Sequence, residues 1–293
     1  KGYLDHVVQR AIDAGFDPVL AVQMASLNVA EHFRLDGVLG GIAPAKYADL
    51  VLIPDLRTIR AECVISNGVM IAQDGKLLVE PRPALFTGSG VKKIRLNPKD
   101  FAIKVSRKGT LKVRVMDQVT DLVTKEAILD LPAHNGELKA DPSKDILKAS
   151  VISCEGKIFT GLVRGQGFQA GAMATSGVWE TFATVVVGAD DEVMAAAANR
   201  IFEMGGGIVV CREGKVQAEL ALPVAGLMSN ERIEEIVERL NHIQAKARAL
   251  GFRFADAALT LAVLTTAAIP FLRLCEDGLV DSKTGKVVEL VVG

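Results

Sequence analysis

The hydrophobic pattern of the chain changes period at Gly40, and this limits it to folds in which short helices precede a sheet. Upstream, Leu4, Val7, Val8, Ala11 and Ile12 recur at helical spacing, and Gly15 is placed to stop that helix. Asp17-Pro18 restarts the chain as N-cap and first-turn residue, and Val22, Ala25, Val29 and Phe33 are expected to form the buried stripe of a second helix. Two short helices enclose no core of their own, so this hairpin is expected to pack on a larger domain. Downstream of Gly40 the period is two. "GGIAPAKYADLVLIPD" carries a proline-containing turn and a strand from Ala48 to Ile53, and "AECVISNGVMIAQDGKLL" reads strand, Asn67-Gly68 turn, strand. "VEPRPALF" has two prolines and no clear period, which places a linker between Leu78 and Leu96.

The second half mixes the two periods. "RKGTLKVRVMDQVT" alternates as a strand, "DPSKDILKASVIS" reads as a turn feeding a strand, and "GKIFTGLVRGQGF" as another strand with a glycine exit. "GVWETFATVVVG" opens on the only tryptophan and runs into the β-branched stretch Thr184 to Val187, the pattern of a buried strand. Asp190 and Asp191 start a helix that runs to Met204; three glycines end it, and strand, Glu213-Gly214 turn, strand follow. Ser229 or Asn230 is expected to cap the next helix. Ile233, Ile236, Val237, Leu240, Ile243, Ala247 and Leu250 would be its core stripe, and Gly251 its stop. Strands and helices interleaved in this way imply an α+β domain with helices over sheets.

Charge excludes some partners. Lysine and arginine number 34 against 35 acids, with no block of like charge, so no footprint for nucleic acid or an anionic membrane is present. The most apolar window, Ala258 to Leu272, is shorter than the roughly 20 residues of a membrane span. Cys63, Cys154, Cys211 and Cys275 are too dispersed for a metal knuckle or a disulfide scaffold; they are expected to be reduced and mostly buried, in a cytoplasmic protein. Lys1 stands directly inside a helical pattern without a signal peptide, so the chain reads as a piece of something larger.

Site motifs are sparse. His6, His32, His134 and His242 form no HxH or HExxH pair, and no Gly-x-Ser-x-Gly elbow is present. Gly205 to Gly207 lie in the order helix, glycine, strand, the reverse of a phosphate cradle, so they read as a helix stop with close backbone packing. "RGQG", Arg164 to Gly167, reads as a bend.

"GGIAPAKYADLVLIPDLRTIRAECVISNGVMI" resembles the return strands of the amidohydrolase superfamily, on Ile42, Pro44, Ala48, Asp49, Leu50, Val51, Asp55 and Gly68, with Ala45 where that family usually has glycine. The preceding segment, with Ala25, Asn28 and Ala30, is similar to the last helices of its metal-dependent barrel. "ADPSKDILKASVI", "GLVRGQGFQAGAMATS", "NRIFEMGGGIVVCREGKVQAELALPVAGLMS", "ALTLAVLTTAAIPFLRLCEDGLVD" and "VVELVVG" resemble, in order, the C-terminal domain of bacterial adenine deaminases.

The resemblance implies terminal barrel helices over residues 1–36, a partial β-sandwich and linker over 37–90, and an α+β C-terminal domain over 91–293. It implies a parent hydrolase that removes ammonia from adenine or a related purine at a divalent transition metal, Mn, Fe or Zn. The metal ligands of that family would lie upstream of Lys1, so no catalytic, cofactor-binding or metal-binding residue is carried over, and no metal is expected in this chain alone. Relatives carry a run His-Asp-Ser-His-Asn where this chain has Trp179 to Ala183; both histidines and the asparagine are replaced, which leaves Glu180 as the one candidate for a residual role and the substrate open. A non-catalytic structural or ligand-binding module is the alternative. Self-association into a homo-oligomer is expected from apolar helix faces at an incomplete barrel edge.

Overall fold

The computed structural model of the protein describes residues 3–80, 91–179 and 181–292, and the chain divides into two compact units, Lys1–Ala84 and Leu85–Gly293. The first unit begins with α1 (Leu4–Asp13), α2 (Pro18–Ala25) and α3 (Leu27–His32). Asp17 caps α2 by accepting from Leu20 N at 3.0 Å, with Pro18 in the first turn. The helix expected to run through to Phe33 is instead broken at Ser26, whose hydroxyl donates to Val22 O at 2.7 Å while its backbone leaves the helical region. A serine that bonds back onto the preceding turn competes with the helix ladder, and here it wins. The expected stripe is corrected with it: Ala21 and Ala30 are buried, whereas Val22, Val29 and Phe33 are exposed.

Strands β1 (Leu50–Leu52), β2 (Cys63–Ser66), β3 (Val69–Gln73) and β4 (Lys76–Leu77) follow as an antiparallel sheet in that order. Asn67 and Gly68 both take positive φ, 49° and 78°, as a two-residue hairpin turn between β2 and β3 requires. The Asp49 carboxylate holds this turn by accepting from Asn67 N at 2.8 Å and from the Ser66 hydroxyl at 3.1 Å.

The second unit is built on an eight-stranded sheet. In chain order the strands of this unit are β5 (Ile103–Lys104), β6 (Gly109–Gln118), β7 (Thr124–Ala133), β8 (Glu137–Leu138), β9 (Ile146–Ser153), β10 (Ile158–Arg164), β11 (Ala172–Thr175), β12 (Ala183–Gly188), β13 (Gly207–Arg212) and β14 (Lys215–Ala221). The large sheet has the order β14-β13-β11-β12-β9-β10-β6-β7, antiparallel except between β6 and β10, and beside it β5 and β8 form a two-stranded one. Helix α4 (Asp191–Met204) connects β12 to β13. After β14 come α5 (Ile233–Ala249), α6 (Ala257–Ala262) and a small sheet of β15 (Leu272–Cys275), β16 (Gly278–Asp281) and β17 (Lys286–Val288).

Both faces of β12 are covered, which explains why Val185 to Val187 run apolar and β-branched rather than alternating. Val185 and Val187 of β12 pack in one core with Ile243 and Ala247 of α5 and Leu261 of α6. Val186, between them, packs with Ala197, Ala198 and Ile201 of α4. The apolar window from Ala258 therefore splits into α6, a turn and the start of β15, and among the described residues no helix is long and apolar enough to cross a membrane.

Caps set the helix limits. The Asp190 carboxylate accepts from Val193 N at 2.8 Å to start α4, and Gly205, with φ of 74°, ends it. Helix α5 corrects the expected cap: Arg232 is its N-cap residue, and the Ser229 hydroxyl instead accepts from Glu231 N at 3.2 Å in the preceding turn. Ile243 and Ala247 of its stripe are buried and Ile236 and Leu240 half-buried, but Ile233 and Val237 are exposed.

Candidate functional site at the mouth of β12

Three loops meet at the end of the large sheet where β11 leaves and β12 enters. The first holds 176–179 and 181–182, the second is Gly205 to Gly207 after α4, and the third is 224–227 after β14. The Ser176 hydroxyl joins them: it accepts from Gly207 N at 2.8 Å and donates to Gly226 O at 2.7 Å. The glycines are dictated by distance. A Cβ on Gly206, whose φ is 120°, would lie 2.5 Å from Gly226 Cα and 2.7 Å from Leu222 O. Bare backbone at Gly206 is thus met by Leu222 and Gly226 and that at Gly207 by Leu220, while Gly205 ends α4, which bears out the reading of these glycines as a helix stop with close packing. The sequence also holds the matching signal, a second glycine turn in "PVAGLMS", but nothing in the sequence says that the two turns touch.

At the surface of this junction, Trp179 is 61% and Phe182 73% exposed, whereas Thr184 to Val187 are buried in the strand. A shallow recess beside them is lined by Val91, Ile94, Ile152, Cys154, Thr181 and Leu227. Its walls are mostly apolar, Ser176 is fully engaged, and none of the four histidines lines it. Glu180 lies outside the described residues. The described groups of this mouth offer mostly contact area for an apolar or aromatic surface, with Lys92 and Cys154 as the titratable side chains of the lining.

The other candidate residues are dispersed. His6 is half-buried on α1, His242 is exposed on α5, His32 is exposed at the end of α3, and His134 is exposed in the turn between β7 and β8. Among the described residues no group of three or more His, Cys, Asp or Glu is placed to hold a metal ion. The donor set for the transition metal of an amidohydrolase is therefore not found among them. The cysteines are all free: Cys63 and Cys211 are buried and Cys275 is half-buried, but Cys154 is exposed, which corrects its expected burial for one of the four. Burial pushes the Cys211 thiol up to about 11, helped by the nearby Glu219 carboxylate and opposed by Arg200. The Arg200 guanidinium grips Glu219 through two bonds of 2.7 and 2.8 Å and holds its carboxyl below the usual range.

Two residues absent from the sequence reading tie the entry segment 96–101 to the sheet. The Asn199 amide on α4 accepts from Leu96 N at 2.8 Å and donates to Leu96 O at 2.9 Å. Lys148, buried in the middle of β9, donates to Phe101 O at 2.9 Å and pairs with Asp191 at 2.6 Å. A lysine inside the apolar run "ILKASVIS" was the available signal, since a buried ammonium requires a partner.

With this geometry in place, comparison with known families is specific. Residues 4–78 match the profile described as amidohydrolase family, and residues 121–286 match the adenine deaminase C-terminal domain. Similar proteins named adenine deaminase include one from Clostridium botulinum strain 657, 36% identical over 301 residues, covering 99% of this chain and 50% of the relative. A second, from Kosmotoga olearia, is 35% identical over 299 residues, covering 100% of this chain and 51% of the relative. A third, from Archaeoglobus fulgidus, is 38% identical over 294 residues, covering 99% and 50%. The chain spans about half the length of these relatives. The second profile covers the eight-stranded sheet from β7 onward together with both glycine loops, α4 and α5, and on that match the chain belongs to the adenine deaminase C-terminal domain family.

Proposed function

We propose that this chain is the C-terminal part of a metal-dependent amidohydrolase that converts adenine and water to hypoxanthine and ammonia. One observation carries the reading: the two profile matches fall in order on the two compact units, the amidohydrolase match within Lys1–Ala84 and the adenine deaminase match within Leu85–Gly293. In this reading α1 to α3 are the last helices of a (β/α)8 barrel and the sheet β1 to β4 is part of a β-sandwich. The outward apolar side chains support it. Leu4, Val7, Val29 and Phe33 on the helices, and Val51, Leu52, Val69 and Met70 on the sheet, are exposed in the first unit. Apolar surface on this scale is a surface for further protein.

The metal, Mn, Fe or Zn, would be held by residues of the longer protein outside this chain. No chemical step is assigned to the present residues. The second unit would supply scaffold and the mouth of β12, where Glu180 is the candidate for a residual role. The parent would be a cytoplasmic homo-oligomer acting on a purine. A second reading, resting on the run Trp179 to Ala183 where the resemblance implies histidines, is a divergent amidohydrolase with another cyclic amidine as substrate.

Ammonia release from adenine and from other 6-substituted purines, measured for this chain and for the longer protein, tests both. The longer protein is expected to deaminate adenine, whereas the chain alone is expected to release no ammonia and to hold less than about one tenth of an equivalent of metal. Turnover or stoichiometric metal in the chain alone would overturn the assignment, and activity of the longer protein on another amidine but not adenine would select the second reading.

A further inference from the structure

The "RGQG" loop does more than bend the chain. Gly165 and Gly167 have φ of 98° and 88°. Neither has room for a side chain: a Cβ on Gly165 would stand 2.4 Å from Gln118 O, and one on Gly167 would stand 2.5 Å from Gly251 O. Gly251 is crowded in return, its Cβ position lying 2.4 Å from Gly167 O. Between the two loop glycines, Gln166 is fixed through its main chain. Its carbonyl accepts from Arg253 N at 3.1 Å, and the following Gly167 N donates to Asp145 Oδ1 at 2.6 Å.

Gln166 is fully buried, at 0% exposure, and neither its Nε2 nor its Oε1 has a hydrogen-bond partner in the protein. The residue whose carbonyl presses on Gly165 repeats the pattern. Gln118 is buried, its Nε2 donates to Thr120 O at 2.7 Å, and its Oε1 has no partner. Since β6 and β10 run parallel with Asp117 opposite Arg164, the two glutamines leave the same end of that strand pair. A buried amide stripped of partners at both ends costs more than an apolar residue of the same size, and the interlocked glycines keep the main chain of Gln166 from moving toward solvent.

We infer that Gln166 forms a buried binding site for about one or two water molecules at the end of β6 and β10, with Gln118 Oε1 as a further acceptor. Water fits the donor set: it accepts from Nε2 and donates to Oε1 of one amide. The nearby charges recruit no ion, because Arg164 is paired with Asp117 and Arg253 with Asp145. Gln118 and Gly165 also line an open cleft with Asp117, Lys144, Asp145 and Arg253.

A high-resolution crystal structure of the full chain, with magnetic relaxation dispersion on the same protein and on Gln166→Leu, tests this. Density for water at roughly 2.7–3.2 Å from Nε2 or Oε1 of Gln166, a long-lived water signal that falls in Gln166→Leu, and a variant Tm no higher than that of the parent are the expected results. A dry amide, an amide turned onto a protein partner, or a Gln166→Leu variant with raised Tm would overturn the inference, as would density too large for water. If Gln166→Leu does not fold, the crystal structure of the unaltered chain decides alone.

Discussion

Replacing Gly206 by alanine measures the contact between the two glycine loops. The backbone at Gly206 has φ of 120°, a region that costs an L residue about 1–3 kcal/mol. The new methyl would also stand 2.5 Å from Gly226 Cα and 2.7 Å from Leu222 O. Both are main-chain atoms that no rotamer change removes, so overpacking adds about 1–3 kcal/mol. The sum, about 2–6 kcal/mol, is a large share of the roughly 5–15 kcal/mol that a domain possesses. At about 2–4 °C per kcal/mol for a unit of this size, Tm should fall by roughly 5–20 °C. Gly214→Ala is the control. Gly214 also has positive φ, 71°, but a Cβ there meets nothing within 4 Å, so only the backbone cost of about 1 kcal/mol applies. Urea titration followed by far-UV circular dichroism gives both midpoints, and an unchanged slope licenses the comparison. If Gly206→Ala is no less stable than Gly214→Ala, the loops do not meet as described and the reason given for this glycine pair is wrong.

Four other outcomes are expected. Asn199→Ala removes both bonds to Leu96 and leaves its main-chain groups unpaired, so it should cost about 1–3 kcal/mol and speed amide exchange around residue 96. Alkylation at pH 8 read by mass spectrometry should modify exposed Cys154 first and spare Cys211, whose folded pKa is raised. Because the fold holds the Cys211 proton more tightly than the open chain does, the stability it contributes is complete below the ordinary thiol value and is lost as pH rises through about 11; a Cys211→Ala variant that shows the same alkaline loss would refute this. Trp179, the only tryptophan, is 61% exposed, so its fluorescence should be red-shifted and open to acrylamide in the native chain; a blue-shifted, protected signal would place the mouth of β12 against other protein.

Much of the architecture was legible in local chemistry. Asp17-Pro18 and Asp190 start helices, Gly15, Gly205 and Gly251 end them, and Asn67-Gly68 and Glu213-Gly214 turn hairpins, because each effect acts within about one turn of chain. The apolar run Val185 to Val187 announced burial on both faces for the same reason: side chains alternate, and no polar residue within it marks a wet face. The break at Ser26 was hidden, since a serine in a helical pattern shows nothing of whether its hydroxyl will turn back onto the helix.

What only the tertiary structure decided are the relations between distant residues. Strand β11 lies between β12 and β13, so its neighbours come from beyond a loop and from beyond α4, and no period in "GAMATS" encodes that. Ile233 and Val237 belong to the apolar stripe of α5 but extend past the sheet that buries Ile243 and Ala247. The candidate site divides in the same way. The aromatics Trp179 and Phe182 and the glycine clusters stand in the sequence, but the closure of Gly206 on Gly226 through Ser176, the Asn199 clamp and the captive amide of Gln166 exist only once the chain has returned on itself. Turns and caps follow from a few neighbouring dihedrals, whereas these contacts follow from the burial and pairing of the whole unit at once, and that sum has no local reading.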